Sequence, residues 1–294
     1  MHLLPEKFET GSAVAAIIMA MISVTAGASI AKSMFSTLTP ENVTVLRLMV
    51  SAAILFFAMK AWEVRFNFRS LLVVFAYGAT VAGMNLFFYL AIKTVPVGVA
   101  LAIELIGPLC VATFFSQSRS DYIWGSLAAL GIYLLLPASS HMSDLDMTGL
   151  FYALVAAFFW GAYILVGKKA AGNFGRKIPA LGLIVASLLV LPVGDYTVML
   201  GSLNTEVTLL VVTIALLSSA IPLSLEIFSL RTLRTNTYGV LTSGEPVIGA
   251  MVSFIILGEQ LTIIQCFGIG AIVAASIGTV LSPYSRRQTL ETSQ

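Results

Sequence analysis

Ten apolar segments, each near the length of a membrane-spanning helix, follow one another along the chain with only short turns between them. A helix needs about 20 mostly apolar residues to cross a bilayer. The segments cover approximately residues 12–31, 41–60, 70–92, 97–116, 121–137, 148–168, 178–196, 207–230, 237–257 and 262–282. Only 10% of the 294 residues are charged, against about 25% in soluble domains, so lipid must solvate most of the surface. The sequence therefore predicts an all-α integral membrane protein with ten transmembrane helices.

The polar residues exclude several classes of function. The net charge is only +2 and the basic residues are scattered, so nucleic acid is not an expected partner. Cys110 and Cys266 lie in apolar segments, and His2 and His141 lie far apart, so neither a disulfide framework nor a histidine metal site is expected. No catalytic or nucleotide-binding motif is present. We therefore expect no enzyme activity and no cofactor, and any uphill transport must draw on the membrane gradient.

The distribution of Lys and Arg predicts the orientation in the membrane. Thirteen of them fall on the side of the N-terminus, and two, Lys32 and Lys93, fall on the opposite side. The thirteen are Lys7, Lys60, Arg65, Arg69, Arg119, Lys168, Lys169, Arg176, Lys177, Arg231, Arg234, Arg286 and Arg287. Cytoplasmic loops of membrane proteins carry this kind of excess. Both termini are therefore expected to be cytoplasmic.

A weak internal repeat divides the chain into two halves. The stretch NLFFYLAIKTVPVGVALAIELIGP (85–108) aligns with LSLEIFSLRTLRTNTYGVLTSGEP (223–246), and each copy ends in a proline close to a glutamate. Five helices per half is an odd number, so the second half enters the membrane upside down. We therefore predict two inverted five-helix repeats, residues 12–137 and 148–282. Inverted repeats are typical of secondary transporters, whose substrate site lies near the membrane midplane.

Four polar residues are predicted to share one depth, about 10 Å from the outer membrane face. Arg47 and Glu104 are charged groups inside helices, which are costly in lipid and are functional candidates by default. Asn85 and Tyr89 reach a similar depth on the third helix. Together they could bind a zwitterion, with the guanidinium on its carboxylate and Glu104 on its ammonium. The alternative is that Arg47 and Glu104 form a structural ion pair.

Two further acids, Glu226 and Glu245, are predicted to lie roughly 7–12 Å from the inner face. Burial and a neighbouring like charge both disfavour an ionised carboxyl, so at least one is expected to hold a proton near neutral pH. They are the candidates for proton coupling. Alternatively, Glu245 only takes part in helix packing, and Glu226 extends to the cytoplasm beside Arg231.

Aromatic and proline residues add candidates for a cavity and for helix breaks. Trp160 and Tyr163 lie on the sixth predicted helix, and Trp160 is too deep for the interfacial belt, so we favour a place in the cavity lining over lipid contact. Pro108, Pro222 and Pro246 fall inside predicted helices, where each frees a backbone carbonyl and permits a kink.

Several segments resemble the drug/metabolite transporter superfamily, with its paired EamA domains. The matching stretches are GASIAKSMF (27–35), VLRLMV (45–50), GMNLFFYLAIKTVPVGVALAIELIGPL (83–109), SLEIFSLRTL (224–233) and SGEP (243–246). The resemblance implies a bacterial inner-membrane exporter of small neutral amino acids such as threonine and homoserine, driven by protons, with a central cavity. Residues of the same type as in that pattern are Arg47, Asn85, Tyr89, Glu104, Trp160, Tyr163, Glu226 and Glu245. The Lys168-Lys169 pair departs from it.

The sequence leaves two alternatives to an amino-acid exporter. The same fold could carry another metabolite or a cationic drug, for which an aromatic cavity with a lone acid would be expected. A chain of this composition could also be a scaffold that transports nothing, in which case its buried charges should all be paired. The expected partners are the substrate, protons and the lipid bilayer, and the chain could act as a monomer or a homodimer.

Overall fold

The computed structural model describes residues 6–65, 67–114, 119–135, 146–222, 225, 226, 229 and 241–281, and this part of the chain contains helices and turns but no strand. A π-helix, Leu216–Ala220, follows α10. The α-helices are α1 (Glu6–Ser33), α2 (Pro40–Ala58), α3 (Phe68–Ile92), α4 (Val97–Glu104), α5 (Ile106–Phe114), α6 (Arg119–Leu135), α7 (Met147–Phe174), α8 (Ile178–Val190), α9 (Tyr196–Ser202), α10 (Thr205–Ala215), α11 (Glu245–Leu257) and α12 (Ile263–Leu281).

The helices are those of a multi-pass membrane protein. Within the described residues, α1, α2, α3 and α7 are each long and apolar enough to cross a bilayer unaided. The seventh predicted segment, 178–196, does not continue as one straight helix, because the chain bends by 105° between residues 178–193 and α9. Other helices are apolar but shorter. Parts of the eighth and ninth predicted segments lie outside the described residues, so the count of ten remains a prediction.

The fourth predicted segment, 97–116, is broken near its middle. Helix α4 ends at Glu104, Leu105 lies in a turn, and α5 begins at Ile106. The cause lies in Pro108, which has no N–H to donate to the carbonyl of Glu104. All eight residues of α4 are buried, so this break lies inside the bundle rather than at its surface.

The ninth predicted segment, 237–257, is broken in a similar way. Ser243 and Gly244 form a turn, and α11 begins at Glu245. Pro246 therefore occupies the first turn of a helix, where a missing N–H costs nothing, and not the helix interior as predicted. Ser243 is 138 residues beyond Leu105. This is the offset of the sequence repeat, so the corresponding segments break at corresponding positions.

Helices α4 and α11 pack closely and run in opposite directions. A Cβ atom added at Gly98 would lie 2.7 Å from the Cβ of Ala250, and Gly249 faces Leu101. Further along α4, Glu104 is the electrostatic neighbour of Glu245, so the contact residue falls from 250 to 245 as the number rises from 98 to 104, as in an antiparallel pair. The glycines permit the close approach because any larger side chain would clash with the neighbouring helix.

Helices α6 and α12 form a second antiparallel pair. The Trp124 ring lies against Gly278, and a Cβ added at Gly131 would lie 2.6 Å from the Cγ1 of Ile272. Again the numbers run in opposite senses along the two helices. Helix α6 is the fifth helix of the first predicted half, and α12 is the fifth helix of the second. Two corresponding helices therefore pack on each other.

Helices α2 and α8 form a third antiparallel pair, with one polar contact near each end. The side-chain oxygen of Asn42 accepts a hydrogen bond from the backbone N–H of Asp195, at 2.8 Å. At the other end, Lys177 lies 2.6 Å from the Glu63 carboxylate. The hydrogen bond from Lys177 lowers the pKa of the Glu63 carboxyl. Glu63 is exposed, so water screens this pair strongly.

Candidate functional site

Arg47, the half-buried Asn85 and Tyr89 form one group inside the helices, which we call the guanidinium cluster. Arg47 on α2 has only 3% of its surface exposed and donates a hydrogen bond to the side-chain oxygen of Asn85 on α3. Its guanidinium carbon lies 4.8 Å from the centroid of the Tyr89 ring. The Asn85 amide nitrogen donates to the carbonyl of Val81 at 2.8 Å, which fixes its oxygen toward Arg47. The structure therefore joins three of the residues that the sequence assigned to one depth.

The guanidinium cluster contains two hydrogen-bond donors that are not used within it. The Nε of Arg47 and the hydroxyl of Tyr89 are buried and have no hydrogen-bond partner among the described residues. Arg47 also has no ion pair with any described residue, so the structural pair with Glu104 that the sequence left open is not formed. A buried cation without an acidic partner is costly. An incoming carboxylate would offset that cost and satisfy both free donors.

Glu104, Glu226 and Glu245 form a second group, the carboxyl cluster. Glu104 is 6% exposed at the end of α4, and the antiparallel register of α4 and α11 puts it opposite Glu245. Glu104 lies within electrostatic range of Glu245, and Glu245 lies within electrostatic range of Glu226. Among the described residues, no group of three or more acids, histidines and cysteines is arranged to hold a metal ion.

The carboxyl cluster differs from the arrangement expected from depth alone. The sequence placed Glu104 in an outer layer with Arg47, and the other two acids in an inner layer. In the structure Glu104 is the electrostatic neighbour of Glu245 on α11. The alternative for Glu226 was a position beside Arg231. Arg231 lies outside the described residues.

Tyr163 on α7 is joined to Tyr77 on α3, a residue that sequence reasoning missed. The two hydroxyls lie 3.2 Å apart and the ring centroids 5.2 Å apart. Tyr77 is buried, and both rings are close enough to Glu226 for electrostatic interaction. A signal was available, since Tyr77 precedes Asn85 by eight residues and Tyr89 by twelve. These spacings keep all three within one broad face of a helix.

Trp160 lies in a tightly packed region. It is half-buried and packs against the central core that includes α4. The next residue, Gly161, approaches the backbone of α5, because a Cβ added there would lie 3.2 Å from the carbonyl oxygen of Gly107. The structure thus places Trp160 against the bundle interior.

Lys32 and Glu259 form an ion pair that the sequence did not predict. Lys32 at the end of α1 also donates to the carbonyl of Val95 at 2.8 Å, and Glu259 accepts from the backbone N–H of Val97 at 2.9 Å. The two side chains are only 18% and 13% exposed. They tie α1, the turn before α4 and the turn after α11 together at one end of the bundle. The only sequence signal for this pair was that Lys32 is one of the two cations assigned to the outer side.

Comparison with known proteins identifies the family. A profile of the EamA-like transporter family matches residues 147–281. The threonine/homoserine exporter RhtA of Escherichia coli (strain K12) is 41% identical over 266 residues, which is 90% of each chain. This chain belongs to the EamA-like transporter family. The resemblance inferred from the sequence is therefore confirmed.

Other relatives agree with the EamA-like assignment. RhtA of Salmonella typhimurium (strain LT2) is also 41% identical over 266 residues, 90% of each chain. A probable amino-acid metabolite efflux pump of the same strain is 25% identical over 228 residues, which is 69% of this chain and 75% of that protein. A crystal structure with 16% identity and a TM-score of 0.60 covers 93% of this chain and 98% of its own, and shares the EamA-like fold.

Proposed function

We propose that this protein is a secondary transporter that exports small neutral amino acids of the threonine and homoserine type across the bacterial inner membrane. One observation carries the proposal. Within the part of the chain that the structure describes, the buried cation Arg47 has no acidic partner and no partner for its Nε, and the Tyr89 hydroxyl beside it is also unpaired. This group suits a carboxylate. The relatives that are 41% identical are named as threonine/homoserine exporters, which agrees with it.

The substrate would bind between the two polar clusters. Its carboxylate would meet Arg47 and the Tyr89 hydroxyl, while Asn85 orients the guanidinium. Its ammonium would be bound by Glu104, with Trp160 and Tyr163 lining the cavity. Arg47 and Glu104 are not in contact here. The substrate is then what connects the two charges.

Three antiparallel helix pairs support an inverted repeat with halves at 12–137 and 148–282. α2 with α8, α4 with α11, and α6 with α12 are corresponding helices of the two predicted halves, and each pair runs in opposite directions. The breaks at Leu105 and Ser243 have the same offset as the sequence repeat. A two-fold axis in the membrane plane would produce all of these features.

Alternating access would follow from rocking one repeat against the other. The Lys32–Glu259 pair joins the two repeats at the end assigned to the outer face, and two backbone hydrogen bonds reinforce it. Opening that end requires the pair to separate. With the positive-inside orientation, both termini would be cytoplasmic.

Proton coupling would use the carboxyl cluster. Glu245 lies within electrostatic range of both Glu104 and Glu226, and no described cation forms an ion pair with any of the three. Such a group is stable when protons or a bound cation compensate its charge. Exchange of protons for the substrate ammonium would couple the proton gradient to export.

The guanidinium cluster disfavours both alternatives, the scaffold and the carrier of cationic drugs. A scaffold is expected to pair its buried charges, whereas Arg47 forms no ion pair with a described residue. A site for cationic drugs would gain nothing from an unpaired guanidinium, which repels the ligand. The substrate therefore has to carry a negative group.

Efflux from loaded vesicles tests the proposal. Purified protein is reconstituted, and the release of labelled homoserine, threonine and threoninamide is compared with release from protein-free vesicles. Homoserine and threonine should leave faster than from the protein-free control. Threoninamide, which lacks the carboxylate, should not. Equal release of all amino acids with and without protein would overturn the export proposal, and equal rates for threonine and threoninamide would overturn the role of Arg47.

A further inference from the structure

A cationic pocket lies where the start of α3 meets the end of α7, away from both polar clusters. Its volume is about 740 Å³, which falls within the roughly 300–1,000 Å³ of small-molecule sites. Arg65, Arg69 and Lys169 line it, together with the amides of Asn67 and Asn173. Lys169 belongs to the lysine pair that departs from the family pattern and that the transport site does not use.

The charge of this pocket is not neutralised. No acid is among its lining residues. Arg65, Arg69 and Lys169 form no ion pair with any described residue. Glu63, two residues before Arg65, is already paired with Lys177 at 2.6 Å. Three like charges around one cavity repel each other, so the pocket favours an anion.

The pocket lies beside an apolar surface. Leu72 is part of its lining and is 62% exposed, and Phe68 on the preceding turn of α3 is 84% exposed. In a multi-pass protein such side chains face lipid. Arg69 lies in the first turn of α3, Arg65 just before it and Lys169 near the end of α7, which is the level where a span leaves the hydrocarbon. A ligand here would have its charge in the pocket and its apolar part on α3.

The local backbone holds the cations in place. The Asn67 side chain accepts a hydrogen bond from the Ser70 backbone N–H at 2.8 Å, and the Ser70 hydroxyl accepts one from the Asn67 backbone N–H at 2.9 Å. This reciprocal cap fixes the start of α3. Arg69 lies between the two capping residues, so it projects from a defined helical turn.

We propose that this pocket binds the phosphate headgroup of an anionic phospholipid. Arginine binds phosphate oxygens through two parallel N–H donors, and lysine adds a point charge. Basic pockets between membrane helices suit acidic headgroups. Phosphatidylglycerol, a singly charged phosphate with a hydroxylated headgroup, matches the three cations and two amides. The site is separate from the transport proposal and does not depend on it.

Competition between lipids in native mass spectrometry tests this site. The solubilised full chain is mixed with equal amounts of phosphatidylglycerol and phosphatidylcholine, and the retained lipid is counted. Wild type should retain phosphatidylglycerol preferentially. Exchange of Arg69 and Lys169 for Gln should lower its affinity about 30-fold, the ratio given by about 1 kcal/mol for each of two cations. Both side chains are exposed, so the fold should be preserved.

Lys93→Gln is the matched control, because Lys93 is an exposed cation on the opposite side of the predicted membrane. It should retain phosphatidylglycerol as wild type does. Equal retention of both lipids by wild type would overturn the proposal, as would an equal loss in Lys93→Gln. A further arm adds millimolar inorganic phosphate. If inorganic phosphate stabilises the protein at least as much as phosphatidylglycerol does, the pocket is a site for a free anion. That outcome would also overturn the lipid assignment.

Discussion

The two buried polar clusters solve the problem of charge in a membrane in opposite ways. In the guanidinium cluster, Asn85 and Tyr89 surround one cation with an acceptor and a ring face, yet leave two donors free. In the carboxyl cluster, acids from α4 and α11 face each other with no described cation in contact. The first is built in advance for an anion, and the second needs protons or a cation from outside. Under the proposed function, the guanidinium cluster binds only the substrate carboxylate, whereas the carboxyl cluster both binds the ammonium and exchanges protons.

The largest expected effect comes from removing the cation. Arg47→Gln should reduce amino-acid efflux from vesicles at least about 30-fold, because breaking a buried charge-assisted contact costs about 2–5 kcal/mol. Asn85→Ala keeps the cation and removes only its orienting acceptor, so it should retain measurable efflux. Thermal unfolding of both variants checks the fold. Wild-type efflux by a folded Arg47→Gln protein would reduce the guanidinium cluster to a structural contact between α2 and α3.

Depth and helix rise were sufficient to predict the guanidinium cluster. Arg47 lies about 10 Å from the start of α2 and Asn85 about 10 Å from the end of α3, with Tyr89 one turn nearer that end. Consecutive helices usually pack together. The unused donors of Arg47 and Tyr89 could not be predicted, because they depend on side-chain rotamers that the sequence does not specify.

The carboxyl cluster could not be assembled from the sequence. Glu104 and Glu245 are far apart along the chain, and their approach depends on the register of α4 against α11. That register is set by glycine contacts such as Gly98 on Ala250. A shift by one turn would separate the two carboxyls by about 5 Å. Pro108 indicates a break near Glu104, because it leaves the Glu104 carbonyl without its helical donor, but it does not show that Glu245 lies opposite.

A smaller effect is expected from neutralising the acid that meets the substrate. Glu104→Gln should lower efflux about tenfold or more, because an amide binds an ammonium more weakly than a carboxylate does by about 1.4 kcal/mol or more. Glu206→Gln removes an exposed acid from the first turn of α10 and should leave efflux unchanged. If Glu104→Gln behaved like Glu206→Gln, the carboxyl cluster would have no part in substrate binding.

Variants of Glu245 and Glu226 are expected to change the efflux rate least and the coupling to protons most. Efflux down a substrate gradient should continue in Glu245→Gln, since the amide resembles the protonated acid in shape and charge. In wild type, efflux should rise when the outside is made more acidic, because protons entering on the cluster release the substrate ammonium. The variant that lacks the responsible carboxyl should lose this response and the sensitivity to an uncoupler.

Each single variant is compared with Glu206→Gln over the same pH range. A full pH response in both Glu245→Gln and Glu226→Gln would mean that the proton travels elsewhere, and the two clusters would then share one task, substrate binding.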